Sequence, residues 1–257
     1  MEDSLKHLEQ NQPKETKVVS NASSKFIGKV FLYTAIALAI TAVTAAVIGI
    51  IFSRAFTQID YSTYAVDTEL IKPYLGLLIG ALVVYLPLLI WIHIICFRGR
   101  GRMDIPFVLY AIVMGVLVSS MTMFVPIAVT AISFGITCVV FGVLSLIGLT
   151  AKRDLSFLGL VALGMFFGAI MIALFNFIWS FFFPGSFQTI YWLISFLIFG
   201  AMMLITIFDV WRVKKLAQMG EQTTNVALYC AFNLYVDFIY IFIRILRIVA
   251  TIYARNR

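Results

Sequence analysis

Four long stretches of this sequence contain no Asp, Glu, Lys or Arg. They cover residues 30–53, 73–97, 105–151 and 155–208. One membrane-spanning helix needs about 20 predominantly apolar residues, so the first two stretches predict one helix each and the last two predict two each. Pro126 and Pro184 lie near the middle of the longer stretches. Proline favours a helix boundary there because it removes a backbone hydrogen-bond donor.

A seventh apolar segment follows, near residues 224–253, and it contains Asp237, Arg244 and Arg247. All seven segments are too long for the strands of a membrane barrel, which need about 9–11 residues. We therefore expect an all-α membrane protein, a seven-transmembrane-helix bundle with the C-terminal helix central. The predicted helices lie near 26–53, 73–97, 105–125, 128–149, 155–181, 188–212 and 224–253. Together they form one domain over residues 25–257.

Composition excludes the soluble classes of protein. Of the 257 residues, 62% are hydrophobic and 12% are charged, whereas ordinary soluble domains are about 45–50% apolar and about 25% charged. A soluble domain could not cover so much apolar surface. Residues 1–24 are the exception, because they are polar and mixed in charge. We predict that they form a disordered cytoplasmic tail.

The basic residues are distributed unevenly between the two sides of the predicted membrane. Thirteen of the 19 Lys and Arg residues precede the first helix or lie after the second, fourth and sixth. This is the positive-inside pattern, and it predicts a cytoplasmic N-terminus. The net charge of +7 therefore reflects membrane topology, and no nucleic-acid partner is expected. Arg244 and Arg247 leave open whether the seventh helix spans or re-enters, although its length favours spanning.

The seventh helix carries a polar stripe. Its members are spaced by three or four residues: Asn225, Tyr229, Asn233, Asp237, Tyr240, Arg244, Arg247 and Thr251. That spacing places them on one helical face, and such a face turns toward protein or water rather than lipid. We expect Asn233, Tyr240, Arg244 and Arg247 to line a pore or gate. The alternative is a helix that makes a few structural hydrogen bonds.

Two acids, Asp209 and Asp237, lie within the predicted helices. Helices six and seven are consecutive and antiparallel, so the carboxylates meet at one depth if helix six continues past Trp211. Two adjacent carboxylates cannot both ionise cheaply, so they share a proton and act as a pH sensor. When deprotonated they offer at most four oxygens, a weak and partly hydrated calcium site. The alternative for Asp209 is an interfacial acid paired with Arg212.

Other polar signals in the apolar segments are weak. Cys96, Cys138 and Cys230 have no paired or metal-type spacing, so we expect all three to be small, buried hydrophobic residues. His93 is alone in helix two, and we interpret it as a structural hydrogen-bonding residue rather than a metal ligand. The small-residue pairs Gly76-x-x-x-Gly80 and Gly164-x-x-x-Gly168 permit close helix contact.

Three motifs lie in order along the chain, at residues 150–156, 208–209 and 227–248. Together they resemble the Bax inhibitor-1 family (transmembrane Bax inhibitor motif proteins). Thr150-Ala151-Lys152-Arg153-Asp154-Leu155-Ser156 resembles the family pattern T-K-R-D-L-S with one inserted residue. Phe208-Asp209 stands where the family has Y-D at the end of helix six. Residues 227–239 and Leu246-Arg247-Ile248 resemble the closing A-L-x-L-Y-L-D-F-I-N-L-F … L-L-R-I. The likeness is to bacterial-type members and covers about residues 26–250.

This resemblance implies a last helix surrounded by the other six, and a pH-sensitive calcium leak with Asp209 and Asp237 as sensor and latch. Bacterial members lie in the plasma membrane, so we expect the same localisation here. In some members an Arg near the end of helix two contacts the acidic pair. Arg98, Arg100 and Arg102 compete for that position. The acid that some members carry in helix two is missing from residues 73–97.

We therefore predict a calcium-leak channel and not an enzyme. Its expected partners are calcium ions, as the permeant or weakly bound species, and the lipid bilayer; no organic cofactor is expected, and the sequence identifies no protein partner. One alternative is a non-conducting scaffold that binds other membrane proteins. Another is an intramembrane aspartyl hydrolase, although the G-x-G-D motif of such proteases is missing before Asp237.

Overall fold

A computed structural model describes the backbone of residues 2–57, 68–98, 101–123, 125–180, 187–220 and 223–255, and most side chains from residue 22 onward. The described residues form seven helices and no strand, and each helix is long and apolar enough to cross a membrane. The helices are α1 (Glu2–Thr57), α2 (Thr68–Arg98), α3 (Asp104–Thr122), α4 (Ile127–Thr150), α5 (Ser156–Ser180), α6 (Phe187–Met219) and α7 (Thr224–Arg255). The predicted all-α, seven-helix membrane fold is confirmed.

Most helix boundaries lie within a few residues of the predicted ones, but α1 begins at Glu2 rather than near residue 26, and α2 begins at Thr68 rather than near residue 73. Pro126 separates α3 from α4, and its carbonyl accepts from the amides of Val129 and Thr130 at 2.9 and 3.1 Å. The predicted end of helix six, residue 212, is wrong, because α6 continues to Met219. The basic residues beyond 212 are good helix formers, with long side chains that reach from a helix to a polar surface.

The chain divides into two compact units, Met1–Thr130 with Lys214–Tyr235 and Ala131–Val213 with Val236–Arg257. α7 therefore contributes its first half to the first unit and its second half to the second. The disordered tail over residues 1–24, the single domain over residues 25–257 and the central position of the C-terminal helix stay predictions.

In the first unit, α1 and α2 pack against α3, and α1 approaches α3 at a glycine. A Cβ atom on Gly115 would lie 2.6 Å from Cβ of Thr44 and 2.9 Å from the carbonyl oxygen of Thr41. The hydroxyl of Thr41 donates to the carbonyl of Ala111 in α3 at 2.9 Å and lies 2.6 Å from Oη of Tyr235 in α7. One threonine thus joins α1, α3 and the first half of α7.

Aromatic rings fill the space between α3 and this half of α7. Phe107 and Tyr110 of α3 contact Phe232 and Tyr235 of α7, with ring centroids between 5.0 and 6.1 Å apart. All four pairs are close to edge-to-face, the geometry that aromatic rings prefer. The first unit is therefore held by aromatic packing around the Thr41–Tyr235 contact.

In the second unit, α4 packs against α6 and the second half of α7. The ring of Phe141 lies 5.4 Å from that of Phe238 in α7. A Cβ atom on Gly148 would lie 2.8 Å from the carbonyl oxygen of Ile207 and 2.9 Å from Cβ of Val210. Gly148 therefore allows the backbone of α4 to contact α6 directly.

The outer faces of the helices are apolar and exposed. On α5, Leu160, Phe167 and Leu174 recur every seven residues and are 68%, 58% and 52% exposed. An apolar stripe of this size is not stable in water, so it faces lipid.

The predicted small-residue pairs do not form close contacts among the described residues. A Cβ atom on Gly76, Gly80, Gly164 or Gly168 would have no neighbour within 4 Å. The close approaches in the two units occur at Gly115 and Gly148 instead.

We predict that Gly148→Ala destabilises the protein by about 1–3 kcal/mol, because the added methyl group would overlap the backbone of α6. The measurement is thermal unfolding of the purified protein in detergent. Gly142→Ala is the matched control, since a Cβ atom at this position of the same helix has no neighbour within 4 Å. Equal unfolding temperatures for the two variants would contradict the close α4–α6 contact.

Candidate functional site

The candidate site lies in the second unit and centres on Asp237. This aspartate is 4% exposed. One carboxylate oxygen, Oδ2, has no hydrogen-bond partner in the part of the chain that the structure describes. The side chain of Asp237 forms a hydrogen bond with Thr206 of α6 and interacts electrostatically with Asp209. The structure therefore brings together the two acids that the sequence singled out.

Thr206 and Asp209 lie on one face of α6, three residues apart. The hydroxyl of Thr206 also lies 2.8 Å from the carbonyl oxygen of Met202. When it donates its single proton to Met202, it can only accept from Asp237, which then carries a proton. When it donates to Asp237, the aspartate is free to ionise. Thr206 can therefore accommodate both protonation states of Asp237.

Among the described residues, Arg212 is a cation that acts on Asp209. Asp209 is partly buried one helical turn away in α6. Of the arginines predicted to contact the pair, Arg98 is exposed at the end of α2 and belongs to the first unit. Arg100 lies outside the described residues. An arginine partner from α2 stays a prediction.

The predicted pore-lining residues of α7 differ in their surroundings. Arg244 is partly buried, and its Nη1 donates to Oγ of Ser195 in α6 at 3.0 Å. Asn233 is partly buried, whereas Tyr240 and Arg247 are exposed. Their role in a pore or gate stays a prediction.

The other faces of α7 are buried more completely than the polar stripe. The side chains of Leu234, Tyr235 and Ile241 are fully buried, and Phe238 and Ile239 are each 3% exposed. Asp237 is the member of the stripe that shares this burial. A carboxylate in such surroundings cannot remain charged without a compensating group, because transfer of an unpaired ion into an apolar interior is very costly.

The sequence did not single out three hydroxyl groups of the second unit. Thr206 binds Asp237, Ser195 binds Arg244, and Ser145 of α4 is 6% exposed with an Oγ atom that has no partner among the described residues. Ser and Thr are common in membrane helices, where they usually donate to a carbonyl of their own helix. No signal in the sequence separates the three from the rest, apart from the position of Thr206 one turn before Asp209.

The donor set limits which metals the site could hold. Within the described ranges, no group of three or more His, Cys, Asp or Glu side chains could bind a metal ion. The predicted cation site therefore has no acidic ligand beyond the aspartate pair, which suits weak binding of a hard, partly hydrated ion.

The cysteines and the histidine differ in their burial. None of the three cysteines forms a disulfide. The expectation that all three are buried is wrong, because Cys230 is buried whereas Cys96 and Cys138 are exposed on apolar helices that face lipid. His93 is partly buried, and its Nδ1 donates to the carbonyl of Leu89 at 2.8 Å, as expected of a structural hydrogen-bonding residue.

The fold and the site define an integral membrane protein of seven helices with an acidic pair between its last two. Residues 23–254 match the family described as "Inhibitor of apoptosis-promoting Bax1". The chain is also 31% identical over 180 residues to the inner membrane protein YbhL of Escherichia coli strain K12 and to YbhL of E. coli strain CFT073. These matches cover 66% of this chain and 73% of each relative. The chain belongs to the Bax inhibitor-1 family, as its motifs predicted.

We predict that Thr206→Val destabilises the protein by about 1–3 kcal/mol, because the change leaves Asp237 with another buried oxygen that lacks a partner. Thermal unfolding in detergent is the measurement. Thr206→Ser is the control, since it keeps the hydroxyl and removes the methyl group, and it should retain most of the stability. A serine variant that is no more stable than the valine variant would contradict a role for this hydrogen bond.

Proposed function

We propose that this protein is a pH-sensitive calcium-leak channel of the Bax inhibitor-1 type, gated by the pair Asp209 and Asp237. The surroundings of Asp237 support this proposal. Asp237 is buried, one of its carboxylate oxygens has no partner among the described residues, and the carboxylate of Asp209 interacts with it. Membership of the family also supports the proposal. We also propose that the protein has no enzymatic activity.

The gating proposal follows from the cost of a buried charge. A charged side chain at the centre of a bilayer costs about 2.5–3.5 kcal/mol on insertion scales. An ionised pair therefore needs a cation, and a pair without a cation needs a proton. Protons and calcium ions compete for the same oxygens, because metal ligands must be deprotonated. The occupant of the pair then determines how α6 and α7 pack, and this packing is the gate.

We further propose that the protein lies in a bacterial plasma membrane with its N-terminus in the cytoplasm. The charge bias of the loops supports this orientation, and the inner-membrane relatives support the localisation. Because α7 is one continuous helix of 32 residues, about 48 Å long, it is long enough to span. Seven spans place the two termini on opposite sides.

The proposal predicts that purified protein in liposomes conducts calcium and that the flux, measured across pH 6 to 8, depends on pH because protonation of the pair changes its occupant. Asp209→Asn and Asp237→Asn should each abolish this pH response, because the amide cannot titrate. Calcium uptake measured with an enclosed fluorescent indicator is the assay.

Asp154→Asn is the matched control for these variants. Asp154 is exposed, and its Oδ1 accepts from the amide of Ser156 at the start of α5 at 2.8 Å. Asparagine caps a helix equally well, so the control makes the same chemical change outside the membrane and should keep the wild-type pH response. A response that survives in both pair variants contradicts the sensor role. Folded protein that conducts no calcium at any pH favours a non-conducting scaffold.

The orientation is tested with reporter fusions in a bacterial host. Alkaline phosphatase fused after residue 257 should be active, because this enzyme folds outside the cytoplasm, and green fluorescent protein fused there should be dark. Fusions after residue 220, which leave out α7, should give the reverse pattern. Fluorescence from the full-length fusion would show that α7 re-enters and does not span.

A further inference from the structure

Among the described residues of the second unit, two deeply buried side-chain oxygens have no partner, in addition to the amide oxygen of Asn176. They are Oδ2 of Asp237 and Oγ of Ser145, in residues that are 4% and 6% exposed. Nearly all buried polar groups in proteins form a hydrogen bond to protein or water, and an unpaired group costs about 1–3 kcal/mol. A ligand that satisfies both atoms would remove this cost.

Packing between α4 and α7 brings Ser145 to the level of Asp237. Ser145 follows Phe141 by four residues, so the two side chains share one face of α4. The ring of Phe141 contacts that of Phe238 at a centroid distance of 5.4 Å, and Phe238 follows Asp237 directly. Ser145 therefore lies within about one helical turn of the contact that positions Asp237.

Packing between α4 and α6 brings Ser145 to the level of Thr206. Gly148 follows Ser145 by three residues on the same face. It lies against the carbonyl of Ile207, the residue next to Thr206. Two independent contacts, one on each side of Ser145, thus place this serine within about one helical turn of the level at which Thr206 hydrogen-bonds to Asp237.

The hydroxyl of Ser145 is available for a ligand. Two other hydroxyls of α4 donate within the helix, since Thr137 bonds to the carbonyl of Ser133 and Thr150 bonds to that of Leu146, each at 2.7 Å. Thr130, at the start of the same helix, resembles Ser145 in having no partner among the described residues. Ser145 forms no such bond among the described residues. A neutral hydroxyl oxygen beside carboxylate oxygens suits a hard divalent cation.

We propose that Ser145 is a ligand of the cation site formed by Asp209 and Asp237, and that its hydroxyl oxygen binds the calcium ion directly or through one water molecule. The site then joins α4, α6 and α7. The inference rests on the proposed function, because the cation bound here is the one that the channel conducts.

Terbium luminescence tests the inference without measuring flux. Tb³⁺ is a calcium substitute that aromatic side chains sensitise, and Trp211 lies two residues from Asp209. The full-length protein in detergent should bind Tb³⁺, and Ca²⁺ should displace it. Ser145→Ala should weaken Tb³⁺ binding roughly five- to tenfold, because a ligand to a charged partner is lost.

Two further variants separate a ligand from a packing residue. Ser133→Ala makes the same change at another fully buried serine of α4, twelve residues before Ser145, and should leave Tb³⁺ affinity within about twofold of wild type. Ser145→Cys fills the same space with a soft sulfur atom, a poor ligand for a hard ion, and should weaken binding as alanine does. Normal affinity in the cysteine variant would assign Ser145 to packing and overturn the inference.

The remaining outcomes separate this inference from the proposed function. Wild-type protein that binds no calcium-displaceable Tb³⁺, or a Ser145→Ala variant with wild-type affinity, overturns the role of Ser145 whatever the flux. Binding that depends on Ser145 in a protein that conducts no calcium supports the role of Ser145 and contradicts the channel.

Discussion

The structure of the second unit depends on a carboxylate buried in an apolar helix bundle. Asp237 is 4% exposed between Phe238 and other large apolar side chains of α7. Because an unpaired charge is very costly there, neighbouring helices must supply polar groups, a cation or a proton. Thr206 of α6 supplies one hydrogen bond and Asp209 supplies the second carboxylate. Asp237 therefore makes α7 costly to bury and also links α7 to α6, through a hydrogen bond and an electrostatic interaction.

Close helix packing within each of the two units depends on a glycine that no motif marked. Gly148 lets α4 reach the backbone of α6, and Gly115 lets α1 reach that of α3. The spaced pair Gly76 and Gly80 has open space beside it. A small-residue pair shows only that helices can approach closely at that position. Contact also requires that this face turn toward another helix rather than toward lipid.

The carboxylates and the hydroxyls of the candidate site differ in how well they could be predicted from the sequence. Asp209 and Asp237 were predictable, because acids within apolar helices are rare and costly and therefore functional by default. The hydroxyls of Ser145 and Thr206 were not, because most Ser and Thr residues in helices bond to their own backbone, as Thr137 does. Only a buried oxygen left without a partner distinguishes Ser145, and that property depends on its neighbours.

Composition and residue spacing were enough to predict the class of the protein, the number of helices, the family and the acidic pair. Each of these depends on composition or on residue spacing along one chain. Hydrophobicity indicates which segments span a membrane, and helical periodicity indicates which residues share a face of one helix. Three features became visible only in the folded structure. α6 continues to Met219, Gly148 is a contact point between α4 and α6, and the hydroxyl of Thr206 bonds to Asp237. Residue spacing assigns a side chain to a face of its own helix. The rotation and tilt of the neighbouring helix determine which residues that face contacts, and spacing along one chain does not contain this information.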